Sequence, residues 1–147
     1  MVLQMSGGRD VYDIFKQLMH LETPAQIVVI TGRQSDVRSE LAKIPVPDRH
    51  TVKLVGFTKE MHNYLTAADV IVSKPGGLTT AESLATGTPM VIVNPIPGQE
   101  TRNTDMLLEA GVAIKINDLP LLPYVQLFHL RRTSAPPRWC LTKVYGR

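Results

Sequence analysis

The stretch from Asp69 to Glu82 reads DVIVSKPGGLTTAE and decides the fold of this chain. Its apolar residues 70–72 predict a buried strand, which Ser73-Lys74-Pro75 ends. Two glycines follow, and then a helical pattern with Glu82 in its first turn. The first amide groups of a helix lack intrahelical partners and carry partial positive charge, and glycine lets an anion come close to them. The stretch therefore predicts a strand, a turn and a helix that hold a nucleoside diphosphate.

Apolar strands and amphipathic helices alternate along the chain around this unit. Strands are predicted at 2–5, 26–31, 51–57, 69–73, 90–93 and 112–116, and helices at 10–19, 35–41, 58–65, 77–86 and 100–110. Asp10 and Thr58 are the predicted caps of the first and third helices. Because the strands are apolar on both faces, they predict a parallel sheet covered by helices on both sides. The predicted fold class is an α/β domain with a doubly wound, Rossmann-like parallel sheet.

Polar and glycine-rich turns follow the predicted strands at 6–9, 32–34, 56–59, 73–79 and 94–100. Parallel strands end at one common edge of their sheet, and the ligands of doubly wound folds bind at that edge. The sequence therefore predicts a single cleft along the carboxyl ends of the strands.

The composition is that of a globular protein of one domain, with 147 residues, 44% of them apolar and 20% charged. No apolar run reaches the roughly 18 residues of a membrane-spanning helix. Cys140 is the single cysteine, so it forms no internal disulfide, and the four histidines show no metal-ligand spacing. We therefore expect no metal site and a cytoplasmic location, with association to a membrane surface left open.

The net charge of +3 is unevenly distributed. Residues 118–147 contain five Lys or Arg and one Asp, whereas acids slightly outnumber bases in residues 1–117. This difference predicts a domain at 1–117 and an atypical basic tail at 118–147, either truncated or poorly ordered. Basic and aromatic residues do not interleave in the domain, so no nucleic-acid partner is expected.

The turns disfavour two other kinds of nucleotide site. A nicotinamide dinucleotide fold needs G-x-G-x-x-G after its first strand and an acid after its second. The first turn here reads Ser6-Gly7-Gly8-Arg9-Asp10 without a third glycine, and the second strand ends in Thr31-Gly32-Arg33 without an acid. A Walker A loop is also absent from the sequence.

A longer segment, from Gly56 to Asn103, reads GFTKEMHNYLTAADVIVSKPGGLTTAESLATGTPMVIVNPIPGQETRN. It resembles the donor-binding domain of the family that includes monogalactosyldiacylglycerol synthase, diacylglycerol glucosyltransferases and the peptidoglycan GlcNAc transferase. Segments 74–77 and 97–100 are more similar to the lipid galactosyl- and glucosyltransferases than to the peptidoglycan enzyme. The resemblance implies the C-terminal half of a two-domain GT-B glycosyltransferase.

The resemblance also implies which residues bind the nucleotide. Phe57 and Thr58 match the segment that covers the uracil ring. Glu82 matches the carboxylate that accepts hydrogen bonds from both ribose hydroxyls, a task suited to a group with several lone pairs. Lys74 supplies a cation near the diphosphate. The turn that meets the diphosphate comprises Gly76, Gly77, Leu78 and Thr79.

Further matches concern the sugar and the first turn. Gln99 and Glu100 match the pair that holds sugar hydroxyls, and Asn103 matches a helix residue just behind them. Gly7 and Gly8 stand where relatives carry a longer glycine-rich loop facing the diphosphate or the acceptor.

The residues themselves leave structural alternatives open. Phe57 can be a core residue, and Lys74 can point to solvent. Glu82 can complement the helix dipole, and Gln99 and Glu100 can cap a helix.

The function that the resemblance implies is the donor-binding half of an inverting glycosyltransferase. It would transfer a hexose from a UDP-hexose, as the donor substrate and without a cofactor, to a diacylglycerol-like lipid acceptor. In the family the acceptor site and catalytic base belong to an amino-terminal domain, so no catalytic residue is assigned here, and an isolated half would be inactive. A lone cleft wall could also promote self-association.

Two alternatives to this function remain open. The first is a stand-alone sugar-nucleotide-binding subunit that needs a membrane partner. The second is a sugar-nucleotide epimerase-like domain, for which segment 97–100 offers only Glu100 as a catalyst. The tail departs from the family's continuing helix, since Pro136-Pro137 would break it. We hypothesise that the chain is a fragment or truncated product whose tail is not the family's own.

Overall fold

The structure is a computed structural model and describes residues 2–4 and 8–124. Its strands are β1 (Val2–Gln4), β2 (Ala25–Ile30), β3 (His50–Val55), β4 (Ile71–Ser73), β5 (Met90–Val93) and β6 (Ala113–Ile116). Its α-helices are α1 (Gly8–Leu18), α2 (Ser35–Leu41), α3 (Met61–Ala67), α4 (Gly77–Thr86) and α5 (Thr101–Glu109). A 3₁₀ helix covers Leu119–Tyr124.

The described strands form one parallel sheet in the order β3-β2-β1-β4-β5-β6, which is the order of the Rossmann fold. The chain builds outward from β1 to β3 and then returns to the other side of β1 with β4. Val2 of β1 accordingly pairs with Val28 of β2 on one side and with Ile71 of β4 on the other. The predicted fold class is confirmed, and β1 and β4 are the strands between which the order reverses.

The core lies on both faces of the sheet because successive strand residues point to opposite sides. In β5, Val91 and Val93 belong to one hydrophobic cluster, whereas Met90 and Ile92 belong to the other. Side chains of α1, α2 and the 3₁₀ helix complete the first cluster, and side chains of α3, α4 and α5 complete the second. All four residues of β5 are buried, which explains why its sequence is apolar without alternation.

Three residues near helix starts do not lie where the sequence predicted them. Helix α1 begins at Gly8, so Asp10 lies in its first turn and is not its cap. Helix α3 begins at Met61, and Thr58 instead accepts a hydrogen bond from the backbone N–H of Glu60 at 3.0 Å. Glu82 lies in the second turn of α4, because that helix begins at Gly77. Local turn hydrogen bonds of short polar side chains compete with capping and shift such boundaries.

Helix α4 ends where it is tied to α3. Gly87 closes it in the left-handed conformation (φ 67°), which glycine adopts without strain. The buried hydroxyl of Thr88 donates to the carbonyl of Leu65 at the end of α3, 2.7 Å away. The hydroxyl of Ser83 donates in turn to the carbonyl of Thr88. These buried bonds hold the last turns of α3 and α4 together near the amino edge of the sheet, where β5 begins.

The fold continues past residue 117. Leu122 of the 3₁₀ helix is fully buried in the cluster that also contains Phe15 of α1. The basic residues of the predicted tail, Pro136-Pro137 and Cys140 lie outside the described residues. Within 2–4 and 8–124, no helix has both the length and the apolar character needed to cross a membrane.

Candidate donor site at the carboxyl edge of the sheet

The candidate site is built on the connection between β4 and α4. Strand β4 is buried throughout and ends at Ser73. Lys74, Pro75 and Gly76 then lead into α4 at the edge of the sheet where β1 also ends. This is the position at which doubly wound sheets bind their ligands. The sequence prediction that the glycines follow a strand and open a helix is confirmed.

The amino-terminal tip of α4 is open to solvent. Gly76 is its N-cap residue, in an extended conformation (φ −62°, ψ 156°), and no side chain caps the helix. A Cβ added at Gly77 would meet no atom of the described residues within 4 Å. Leu78, the next residue, is 75% exposed. The tip therefore leaves room for an anion, and Thr79 lies half-buried in the same turn.

Lys74 does not point freely to solvent. Its Nζ lies 2.8 Å from Oδ2 of Asp10, in the first turn of α1. Both side chains are partly buried, with 23% of Lys74 and 39% of Asp10 exposed. The ion pair joins the start of α1 to the turn before α4, on the two sides of the β1–β4 junction. The sequence predicted Lys74 as a site residue, but no local pattern indicated Asp10 as its partner.

Two predicted residues after β5 lie next to this turn, and one of them bonds to it. The carboxylate of Glu100 accepts a hydrogen bond from the backbone N–H of Ile96 at 2.7 Å. Its other oxygen lies 3.8 Å from the position that a Cβ at Gly76 would take. The side-chain amide of Asn103 donates to the carbonyl of Pro75 at 2.8 Å. The structure therefore brings Glu100 and Asn103 to the β4–α4 turn, whereas Gln99 is exposed and has no described contact.

Glu82 is half-buried on α4, and burial raises the pKa of its carboxyl, while the charge of His62 on α3 acts in the opposite direction. Because the helix dipole acts mainly on the first turn, the position of Glu82 in the second turn argues against a merely dipolar role. A carboxylate one turn behind an open helix tip can accept hydrogen bonds from a ligand that extends past the tip.

Phe57 and Thr58 follow β3 at the same edge. Phe57 is 58% exposed, so it is not a core residue. The guanidinium of Arg33, in the turn after β2, lies 5.1 Å from the centre of its ring. This stacking was not predicted, although the turn at 32–34 had been placed on the cleft edge. The guanidinium of Arg38 also reaches this edge and lies so close to Gly56 that a Cβ there would be 2.7 Å from it.

Gly8 is the first residue of α1, and Gly7 lies outside the described residues. No group of three or more metal-binding side chains occurs in the described part of the chain. A separate hollow of about 480 Å³ is lined by Tyr12, Lys16, Glu40, Lys43, Ile44 and Pro45. It contains none of the predicted site residues, and the end of α2 places it towards the opposite edge of the sheet.

The fold and this open edge define a Rossmann-like domain of the GT-B glycosyltransferase type. MurG of Acinetobacter baumannii is similar to it with a TM-score of 0.71 and 22% identity, over 98% of this chain and 50% of that chain. The glycosyltransferase VinC, solved in complex with dTDP, is similar with a TM-score of 0.61 and 21% identity. The match covers 97% of this chain and 35% of VinC. At such identities the likeness concerns the fold.

The chain belongs to the glycosyltransferase family 28 C-terminal domain family, whose profile matches residues 9–124. A processive diacylglycerol β-glucosyltransferase of Bacillus pumilus is 30% identical over 119 residues, covering 79% of this chain and 31% of the relative. A processive diacylglycerol β-glucosyltransferase of Staphylococcus aureus is 37% identical over 97 residues, covering 65% of this chain and 24% of the relative. The chain thus spans less than a third of these curated relatives, and the resemblance noted from the sequence is confirmed.

Proposed function

We propose that this chain is the UDP-sugar-binding half of an inverting glycosyltransferase that transfers a hexose to a lipid acceptor. The observation that carries the proposal is the open, uncapped tip of α4 at the β1–β4 junction, in a domain of glycosyltransferase family 28. An exposed helix start at this position offers backbone N–H donors and a positive dipole end to a diphosphate.

In the proposed complex the tip at Gly76 and Gly77 binds the diphosphate, Glu82 accepts hydrogen bonds from the ribose and Phe57 stacks on the uracil. Leu78 and Thr79 contribute backbone groups of the first turn. Transfer breaks the bond between the anomeric carbon and the diphosphate oxygen while the acceptor oxygen bonds to that carbon. The bonding electrons leave with the diphosphate, whose growing charge the preorganised helix dipole stabilises. The acceptor proton passes to a base that we do not place in residues 2–4 and 8–124.

The names of the relatives support the acceptor class. The proteins of B. pumilus and S. aureus are diacylglycerol glucosyltransferases, and this chain matches under a third of their length. The acceptor and the base would then be held by a further domain or a partner subunit. VinC, which has a similar fold, was solved in complex with the nucleoside diphosphate dTDP, and this supports the donor class of the proposal.

Calorimetric titration of the full chain tests the donor proposal. UDP and at least one of UDP-glucose, UDP-galactose and UDP-GlcNAc should release heat on binding, whereas NAD should not. Measurable binding of NAD without binding of UDP would overturn the proposal and restore the dinucleotide interpretation.

A second measurement concerns the role of Glu82. Glu82→Gln should weaken UDP binding by about 10- to 150-fold, because hydrogen bonds to a charged group contribute about 1.5–3 kcal/mol. Binding of inorganic pyrophosphate, which has no ribose, should stay unchanged. Glu109→Gln, an exposed position at the end of α5, is the matched control and should leave both ligands unaffected. Equal weakening of UDP and pyrophosphate in Glu82→Gln would contradict the ribose role.

A further inference from the structure

The Asp10–Lys74 ion pair stands at the junction where the proposed donor binds. Lys74 lies two residues before the N-cap of α4, and Asp10 lies in the first turn of α1. Their charged atoms are 2.8 Å apart, and both side chains remain partly exposed. Pairs with this exposure add only about 0–1 kcal/mol to stability. The pair is therefore not needed to hold α1 and α4 together, since buried apolar contacts anchor both helices on opposite faces of the sheet.

We propose that Asp10 is a positioning and selectivity residue of the donor site, an inference that rests on the proposed function. It holds Lys74 beside the β1–β4 junction and places a negative charge next to the diphosphate. This charge disfavours a nucleoside diphosphate product relative to the nucleotide sugar, and thereby favours product release.

The reason is the charge of the two ligands. In a nucleotide sugar the terminal phosphate oxygen is bonded to the sugar, so the diphosphate carries one ionisation per phosphate. Once the sugar has left, the free terminal phosphate ionises again with a pKa of about 6, as phosphomonoesters do. The carboxylate of Asp10 disfavours binding of the ligand with this extra negative charge, and the ammonium group of Lys74 favours it. A unit charge about 6–8 Å away changes the affinity ratio of such ligands by about threefold in a largely aqueous site.

Binding of UDP and of the best-bound UDP-sugar to four versions of the full chain tests the inference. Asp10→Asn should shift the affinity ratio about threefold towards UDP, and Lys74→Gln should shift it by a similar factor the other way. The double variant should return to within about twofold of the wild-type ratio, because the two charge changes cancel. At about 1 M salt, where the Debye length is about 3 Å, the shifts should shrink.

Two controls separate selectivity from structure and from net charge. Asp10→Glu keeps the charge and should retain the wild-type ratio. Asp48→Asn makes the same charge change just before β3, at the opposite edge of the sheet, and should leave the ratio unchanged. An Asp10→Asn variant with the wild-type ratio, or with both ligands weakened equally, would overturn the inference alone. A wild-type chain that binds neither ligand would overturn the proposed function and the inference with it.

Discussion

Phe57 is a large aromatic residue that stays 58% exposed beside a cationic side chain. Phe57 presents its ring at the end of β3, with the guanidinium of Arg33 at 5.1 Å from the ring centre. Cation–π pairs of exposed groups contribute about 0.5–1 kcal/mol, so the stack orients the ring but adds little to the fold. The ring is thus available to a base at small structural cost.

The residue-scale prediction concerns this ring. Phe57→Ala should weaken UDP by about 5- to 150-fold, because stacking of a base on an aromatic side chain is worth about 1–3 kcal/mol. The free energy of unfolding should hardly change, since the side chain is largely exposed. Calorimetry and urea unfolding measure the two quantities on the same protein.

Leu121→Ala is the matched control for Phe57→Ala, because Leu121 is also a large exposed apolar residue (55%) and lies on the 3₁₀ helix away from the site. It should change neither quantity. A Phe57→Ala variant that binds UDP like the wild type would remove the base-stacking role.

At the scale of elements, α4 is constructed differently at its two ends. Its start has an extended glycine without a side-chain cap, and its end has Gly87 in the left-handed conformation. Only the second glycine meets a backbone requirement of the fold. Gly77 has neither a positive φ nor a neighbour that a side chain would strike. The fold itself would therefore accept a side chain at Gly77.

The element-scale prediction follows from this difference. Gly77→Ala should raise stability by up to about 1 kcal/mol, because alanine is the better helix former. The same methyl group stands at the open tip and should weaken UDP by about tenfold, the effect of roughly 1.4 kcal/mol. Thermal unfolding and calorimetry should therefore change in opposite directions.

Ser39→Ala, at an exposed position within α2, provides the comparison. It also favours helix formation, but it lies on another helix and should leave the affinity for UDP unchanged. If Gly77→Ala binds UDP as tightly as the wild type, the helix tip does not carry the diphosphate.

At the scale of the whole molecule, the two edges of the sheet have different tasks. The carboxyl edge carries the open site, whereas partly buried polar contacts tie segments together at the amino edge. Nδ1 of His50, at the start of β3, accepts a hydrogen bond from the backbone N–H of Ala25 at 3.2 Å. Arg49 donates to the carbonyls of Leu21 and Met19 at 2.7 and 2.9 Å, after the end of α1.

His50 makes global stability depend on pH. Burial, and secondly the charge of Arg49, lower the pKa of His50 below its ordinary value of 6.5. Between the two values the unfolded chain binds more protons than the folded one. The contribution of neutral His50 to the free energy of unfolding should therefore be fully present above pH 6.5. It should be lost as the pH decreases through 6.5 towards the lowered pKa of the folded state.

Urea unfolding at pH 8 and at pH 5 measures this effect. His50→Gln removes the titrating group, so its midpoint should decrease less on acidification than that of the wild type. His20→Gln changes an exposed histidine and should behave like the wild type. An equal acid-induced loss in all three proteins would show that His50 does not titrate in this way.

Local patterns in the sequence are sufficient for the class of fold and for most of its elements. The β4–α4 unit was predicted correctly because an apolar run, a proline and two glycines act on neighbouring residues only. The start of α3 was misplaced because Thr58 bonds to a nearby backbone group, a choice that residue type alone does not settle. Glu82 was recognised by resemblance, but its depth in the second turn follows from where α4 begins.

The sequence by itself therefore determined the parallel α/β architecture, the family and the glycine-rich helix start, because burial on two faces leaves a periodic record along the chain. Only the tertiary structure decided that Asp10 pairs with Lys74, that Arg33 lies over Phe57 and that Asn103 bonds to the β4–α4 turn. These contacts join segments far apart in sequence, and their geometry depends on the order of strands across the sheet. No local pattern of residues encodes that order.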